Sequence, residues 1–257
     1  MVEAVAQRKY IIGGNWKSNG SVDLVRTLCT DTMNTMEYDE GRVEVVVAPI
    51  ALHITSTKTM LNSNILVASQ NISAEGNGAF TGEISAEQIV DFGLQWTLVG
   101  HSERRKLFNE TDEIVAKKVA RAQAANLKVI LCVGETLEQR EANQTNDVLK
   151  TQLEAVKTSV SNWGSIVIAY EPVWAIGTGE TATIGQAAEI HGLIRKIVAG
   201  KYQGNETKPL TILYGGSVTP QNGQEFLQND EIDGALVGGA SLNIDSFCDI
   251  IKSAQLV

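Results

Sequence analysis

The stretch Ile166-Val167-Ile168-Ala169-Tyr170-Glu171-Pro172 contains an apolar run that is too short for a helix and rich in β-branched residues. Such a run is typical of a strand that is buried on both faces of a parallel sheet. Glu171 therefore stands where a buried strand ends. At the rim of an apolar pocket, desolvation raises the pKa of a glutamate and makes it a better base near neutral pH. The alternative is a strand-ending glutamate in a solvated loop.

The residues that follow Glu171 form a candidate lid. Pro172 stiffens the chain, and two nearby glycines allow the next segment to swing over a pocket. We call this the lid segment; it consists of Pro172, Val173, Trp174, Ala175, Ile176, Gly177, Thr178, Gly179, Glu180, Thr181 and Ala182.

Seven further apolar runs resemble the one before Glu171. The eight runs are Tyr10 to Gly13, Val43 to Ala48, Ile65 to Ala68, Trp96 to Val99, Val129 to Val133, Ile166 to Tyr170, Thr211 to Tyr214 and Ala235 to Val237. Amphipathic helical patterns lie between them, and the first of these begins at Ser21 and carries apolar residues as far as Met36. This alternation predicts an α/β fold with a parallel sheet. Eight repeats favour a single closed (β/α)8 barrel over residues 1–257, with an open doubly wound sheet as the alternative.

Composition excludes several classes of partner. A chain of 257 residues with 43% hydrophobic content can bury a large core, and its net charge of −9 argues against nucleic acid or an anionic membrane as a partner. Cys29, Cys132 and Cys248 lack metal-ligand spacing, so reduced structural thiols are expected. The N-terminal residues show no apolar leader. We expect a cytoplasmic protein.

In a (β/α)8 barrel, reactive groups collect at the carboxyl ends of the strands. Asn15 and Lys17 follow the first run, His101 the fourth and Glu171 the sixth. Lys17 could neutralise a phosphate or a developing oxyanion, although a surface lysine is the commoner fate of this residue type. His101 precedes a helix-start pattern, so the helix dipole is expected to lower its pKa and favour neutral imidazole. His53 and His191 are expected to be structural or surface residues.

Two pairs of glycines follow the last two runs. Gly215-Gly216-Ser217 and Gly238-Gly239 let backbone N–H groups approach a phosphate closely. Ordinary turns are the alternative for each pair alone. Their position matches the phosphate site that is common in such barrels.

With these residues in hand, the chain resembles the triosephosphate isomerase family over nearly its whole length. The matching stretches are Gly14 to Lys17, Gln70-Asn71, Gly78 to Glu83, Val99 to Arg105, Cys132 to Glu135, Ala169 to Gly179, Tyr214 to Val218 and Leu236 to Ser241. Ser18 and Glu180 depart from the family pattern, which more often has a larger apolar residue and a lysine at these positions.

The resemblance implies that dihydroxyacetone phosphate and glyceraldehyde 3-phosphate interconvert through an enediolate. It implies catalytic roles for Asn15, Lys17, His101 and Glu171, with Ser102 and Glu103 supporting them. The substrate phosphate would be bound near Gly177, Ser217, Gly238 and Gly239. No metal or organic cofactor would be needed, and the partner would be a small triose phosphate rather than nucleic acid or membrane.

The resemblance also implies a homodimer. The residues expected at its interface are Ser18, Gln70, Asn71, Thr81, Glu83 and Arg104. A Schiff-base aldolase on the same barrel would need a lysine where the sixth run ends in Glu171, and a metal-dependent epimerase would need converging histidines. An inactive phosphate-binding barrel or scaffold protein remains the alternative function.

Overall fold

The computed structural model describes residues 8–62, 64–176, 180–199 and 210–257. Within these residues, eight strands form one closed barrel in sequence order, and β8 pairs with β1. All neighbouring strands are parallel. The strands are β1 (Tyr10–Asn15), β2 (Val43–Ala48), β3 (Ile65–Ser69), β4 (Trp96–Val99), β5 (Lys128–Val133), β6 (Ile166–Tyr170), β7 (Ile212–Tyr214) and β8 (Gly234–Val237). The prediction of a closed barrel rather than an open sheet is confirmed.

Helices surround the barrel and connect its strands. In the described residues they are α1 (Val22–Thr30), α2 (Ile54–Met60), α3 (Ala86–Asp91), α4 (Ser102–Leu107), α5 (Asp112–Ala124), α6 (Leu137–Glu141), α7 (Thr145–Lys157), α8 (Ile184–Val198), α9 (Pro220–Leu227) and α10 (Ile244–Gln255). No helix in this part of the chain is both long and apolar enough to cross a membrane.

The first helix begins where the sequence predicts and ends earlier. The hydroxyl of Ser21 accepts a hydrogen bond from the N–H of Leu24 at 3.1 Å and so caps α1. The helix stops at Thr30, because Thr32 leaves helical dihedral angles and its hydroxyl lies 3.5 Å from the carbonyl of Thr27. The expectation that Met36 continues the apolar side of this helix is therefore wrong.

Strand side chains alternate between two apolar layers. Val46, Leu98 and Ile130 belong to the layer inside the barrel, whereas Val45 and Val99 belong to the layer between the barrel and its helices. Full burial of such a side chain stabilises the fold by ~1.5 to 3 kcal/mol. These packed layers fix the strand ends, and with them the polar residues that the strands carry.

Candidate active site

A cavity of about 440 Å³ opens at the carboxyl ends of the strands. It brings together residues from five separate strand ends. Among the residues that line it are Asn15, Lys17, His101, Glu171, Ser217, Gly238 and Gly239. Asn15 is the last residue of β1 rather than the first residue after it. Gly177 lies outside the described residues.

Glu171 lies at the floor of this cavity and is 2% exposed. Its Oε1 is 2.9 Å from Nε2 of His101, and its Oε2 accepts a hydrogen bond from the N–H of Ser102 at 2.9 Å. Gly215 packs directly on this side chain, since a Cβ at Gly215 would lie 3.0 Å from Cγ of Glu171.

The electrostatic surroundings of Glu171 differ from the expectation. Burial raises the pKa of Glu171, but the contact with His101 and the hydrogen bond from Ser102 lower it by more, so the pKa falls below its ordinary value. The predicted raised pKa is wrong for this arrangement. Strand position indicates burial, but it does not reveal which donors face the carboxylate.

His101 is positioned by a left-handed turn at the end of β4. Gly100 has φ +77°, a conformation that favours glycine, and His101 then caps α4. Its Nδ1 accepts a hydrogen bond from the N–H of Glu103 at 3.2 Å. This contact places the proton of the neutral ring on Nε2, which faces Glu171.

The pKa of His101 is also shifted in the direction opposite to the prediction. Burial lowers the pKa of His101, but the adjacent carboxylate of Glu171 raises it by more, so the pKa lies above its ordinary value. The helix N-terminus alone therefore does not determine the pKa of His101. The contact with the Glu171 carboxylate keeps this pKa raised for as long as the two side chains touch.

Lys17 occupies a constrained loop just after β1. Its φ is +52°, an unusual value for a residue with a side chain. Its N–H donates to Oδ1 of Asn15 at 3.0 Å, and its carbonyl accepts from Nε2 of Gln70 at 2.8 Å. Nζ donates to Oε1 of Glu103 at 2.6 Å. The contact with Glu103 holds the ammonium of Lys17, a residue that lines the cavity.

Gly238 and Gly239 form another part of the cavity lining. A Cβ at Gly239 would meet no atom within 4 Å, and one at Gly238 would lie 3.4 Å from Cε of Lys17. Gly239 begins a short 3-10 turn whose Ser241 N–H donates to the carbonyl of Gly238 at 2.8 Å. The backbone at this wall is thus open to a small ligand.

Both described ends of the lid segment are bonded to the barrel. The Oγ of Ser217 donates to the carbonyl of Ala175 at 2.9 Å, and the N–H of Ala182 donates to the hydroxyl of Tyr214 at 3.1 Å. Of the lid segment, Pro172 to Ile176 and Glu180 to Ala182 are described, whereas Gly177, Thr178 and Gly179 lie outside the described residues.

The start of the lid segment rests on a buried carboxylate that sequence reasoning missed. Glu135 is 0% exposed and accepts hydrogen bonds from Nε1 of Trp174 and from the hydroxyl of Tyr170, both at 3.1 Å. Arg140 lies 3.3 Å from the same carboxylate. The available signal was a carboxylate two residues after the apolar run of β5, the same kind of signal that identified Glu171.

The structure describes all six residues that are expected at a dimer interface. Thr81 and Glu83 are exposed, as is Ser18, which directly follows Lys17. Asn71 accepts a hydrogen bond from Lys118 at 2.8 Å, and Arg104 pairs with Glu110 at 2.6 Å. Gln70 also has an intrachain contact that the sequence did not indicate, because it bonds the carbonyl groups of Lys17 and Ala48.

The described residues contain no group of three or more histidine, cysteine or carboxylate side chains that could hold a metal ion.

Comparison with known proteins agrees with this architecture. The family model for triosephosphate isomerase matches residues 10–254.

Three curated relatives are similar over nearly the whole chain. The cytosolic triosephosphate isomerase of Oryza sativa subsp. japonica is 46% identical over 249 residues, which cover 97% of this chain and 98% of the relative. The chloroplastic triosephosphate isomerase of Secale cereale is 45% identical, covering 98% of this chain and 84% of the relative. The triosephosphate isomerase of Emericella nidulans is 45% identical, covering 96% and 98%. This chain is therefore a member of the triosephosphate isomerase family.

Proposed function

We propose that this isomerase interconverts dihydroxyacetone phosphate and glyceraldehyde 3-phosphate with Glu171 as the base. The supporting observation is that Glu171, His101 and Lys17 line one cavity of about 440 Å³. Glu171 takes a proton from the carbon next to the substrate carbonyl and returns it to the former carbonyl carbon, while the hydroxyl proton moves from the oxygen of the first carbon to the oxygen of the second. The intermediate is an enediolate.

His101 and Lys17 stabilise the charge that develops on the substrate oxygens. The Nε2–H of neutral His101 donates to the oxygen that becomes negative, while the Lys17 ammonium supplies positive charge at the same pocket. Asn15 orients the substrate, and Glu103 holds Lys17 through the 2.6 Å contact. No metal or organic cofactor takes part, because the carbonyl itself makes the adjacent C–H acidic.

Substrate binding must separate His101 from Glu171. The Nε2 of His101 is 2.9 Å from Glu171, and a single N–H cannot be directed fully at both that carboxylate and a substrate oxygen. The Ser102 N–H holds the carboxylate of Glu171 until the substrate displaces it. Release of the pair then removes the main influence that raises the pKa of His101, which favours the neutral ring required of an electrophile.

The phosphate of the substrate binds at the backbone of Gly238 and Gly239, with Ser217 and Gly177 completing the site. Closure of the lid segment excludes water and restrains the enediolate from eliminating phosphate. Ser217 supports this role, because its hydroxyl contacts the Ala175 carbonyl inside the lid segment at 2.9 Å.

The active form is a homodimer that acts in the cytoplasm. Residues 77–83 are all exposed and include Phe80, which is 44% exposed, as expected of a loop that enters a partner subunit. The similar rice protein is named cytosolic and the similar rye protein chloroplastic, so fractionation of the source cells tests the location.

A coupled assay with glyceraldehyde 3-phosphate tests the function. We expect turnover that a chelator such as EDTA does not change. Failure of the purified dimer to turn over either triose phosphate would support the inactive phosphate-binding barrel instead. Loss of activity in EDTA, restored by added metal, would contradict the proposal that no cofactor takes part.

A further inference from the structure

A second cavity lies behind the catalytic one, on the other side of Glu171. Its volume is about 750 Å³, compared with about 440 Å³ for the catalytic cavity. Glu171 lines both cavities, and Ser102, whose N–H donates to the carboxylate of Glu171, lines the second. A ligand in the second cavity would therefore touch the proposed base without entering the substrate site.

The first residues of the lid segment also line this second cavity. Val173 and Trp174 form part of its wall. Val173 donates its N–H to the carbonyl of Glu135 at 3.1 Å, and the guanidinium of Arg140 lies 4.6 Å from the ring centroid of Trp174. Because Val173 and Trp174 form part of the wall, the second cavity has this shape only while these two residues keep their positions. A ligand that fills the cavity therefore stabilises the observed positions of these lid residues.

Part of the wall of the second cavity is apolar. Val133, Val173 and Trp174 contribute to this part, and Leu137 lies at the mouth, where it is 48% exposed. The rest of the lining is mostly polar or charged. The volume lies within the range of ~300 to 1,000 Å³ that is typical of sites for small organic molecules.

The mouth of the second cavity carries an excess of negative charge. Arg105 is paired with Asp112 at 2.6 Å. Of the other charged residues at the exposed rim, Glu113 and Glu138 are acidic and Lys106 is basic. This balance disfavours an anion and favours a cation, in contrast to the phosphate-binding site on the opposite side of Glu171.

We propose that the second cavity binds a small organic cation with an apolar body, of the arylalkylammonium class, and that its occupancy slows turnover by holding the start of the lid segment. The body would pack on Trp174 and Leu137, with the ammonium at Glu113 and Glu138. The effect on turnover rests on the proposed isomerase function, whereas the binding does not.

Calorimetric titration with three matched probes tests the binding. The probes are 2-phenylethylammonium, neutral 2-phenylethanol and anionic 3-phenylpropanoate. We expect the ammonium to bind with a Kd below about 5 mM, given the usual ligand efficiency of small molecules. We expect the anion to bind at least ~5-fold more weakly than the cation, because the two differ by two charges near an acidic rim.

Two variants and one control test whether the ammonium binds in the second cavity. Leu137→Arg adds bulk and positive charge at the mouth and should weaken the binding of 2-phenylethylammonium at least ~10-fold. Leu256→Arg is the matched control, since Leu256 is 69% exposed and does not line this cavity. Glu113→Gln combined with Glu138→Gln should weaken the binding of 2-phenylethylammonium and leave the binding of 2-phenylethanol unchanged.

The remaining outcomes decide the proposal. Saturating ammonium should lower kcat at least ~3-fold with little change in KM, as expected for a ligand outside the substrate site. Competition with inorganic phosphate, or equal binding to the wild type and Leu137→Arg, would overturn the site. If the ammonium binds without an effect on kcat, the proposal that occupancy of the second cavity slows turnover is wrong. A chain inactive in the coupled assay would remove the proposed function but leave the calorimetric result valid.

Discussion

Nε2 of His101 lies 2.9 Å from Oε1 of Glu171, so the proposed electrophile and the proposed base are hydrogen-bonded to each other. Both side chains are almost fully buried. Each therefore determines the protonation of the other, and neither can be assigned an ordinary pKa. The pair connects the fold to the chemistry, because the ends of β4 and β6 bring the two residues together.

Glu171→Gln should abolish most of the activity without unfolding the chain. The amide oxygen can still accept the N–H of Ser102, so the local structure should persist. Loss of proton affinity should lower kcat by ~10² to 10⁴, the usual contribution of a general base. Binding of a phosphate-bearing inhibitor should survive. Glu189→Gln, at an exposed position on α8, is the control, and near-normal turnover by Glu171→Gln would show that another group is the base.

The position of His101 and Glu171 at strand ends could be predicted from sequence, but their pKa shifts could not. An apolar run followed by a polar residue locates a strand end in a barrel, which is why both residues were found. Their contact depends on side-chain orientation and on Gly215 packing against Glu171. Such a relationship between residues far apart in the chain leaves no local pattern. Gln70 illustrates the same limit, because nothing near it in sequence indicates that it bonds the carbonyl of Lys17.

The pKa of His101 should decrease when an inhibitor draws Glu171 away. In the free protein, Glu171 raises the pKa of His101 above its ordinary value, after burial has lowered it. The ring should therefore be protonated at low pH and lose its proton as the pH rises through this raised value. ¹⁵N NMR titration with and without a phosphate-bearing inhibitor measures the change, with His53→Gln used for assignment. An unchanged pKa would mean that the pair persists in the complex.

His191 should make the protein sensitive to acid. Burial lowers the pKa of His191 to about 3, with nearby Arg195 and Arg8 contributing. Above the unfolded value of about 6.5 the ring is neutral in both states, and the full stability is present. As the pH falls from there towards 3, only the unfolded chain gains a proton, so stability is lost.

The size of this effect can be measured with a variant of His191. The free energy of unfolding should fall by roughly 2 kcal/mol between about pH 7 and about pH 5 through this residue alone. His191→Gln can keep a donor towards the carbonyl of Glu231 and does not titrate. Urea unfolding at both pH values and fixed protein concentration should show a smaller pH effect in the variant. Equal pH effects in the two proteins would exclude His191 as the cause.

Ser69 and Thr97 form a buried polar pair between β3 and β4, and its two halves should not be equivalent. Ser69 donates to Oγ1 of Thr97 at 2.8 Å, and Thr97 donates onward to the carbonyl of Leu98. Thr97→Val leaves the Ser69 hydroxyl without this acceptor and should cost ~1 to 3 kcal/mol, whereas Ser69→Ala combined with Thr97→Val removes both groups and should cost less. Chemical denaturation of the wild type, the two single variants and the double variant measures this, and additive costs would contradict the coupling.

Activity should depend on association between two chains, because residues 77–83 are all exposed, as expected of a loop that enters a partner subunit. Ser18, next to Lys17, offers little apolar area for an interface. Full burial of a larger apolar side chain contributes ~1.5 to 3 kcal/mol, so we expect two symmetric serines to make the proposed dimer weaker by a few kcal/mol. We expect activity per chain to fall on dilution, in step with dissociation seen by sedimentation. Thr81→Glu should give monomers with much lower kcat/KM, while Thr55→Glu on exposed α2 surface is the control for an added charge. A monomeric Thr81→Glu protein with the parent's kcat/KM would show that activity does not need the partner subunit.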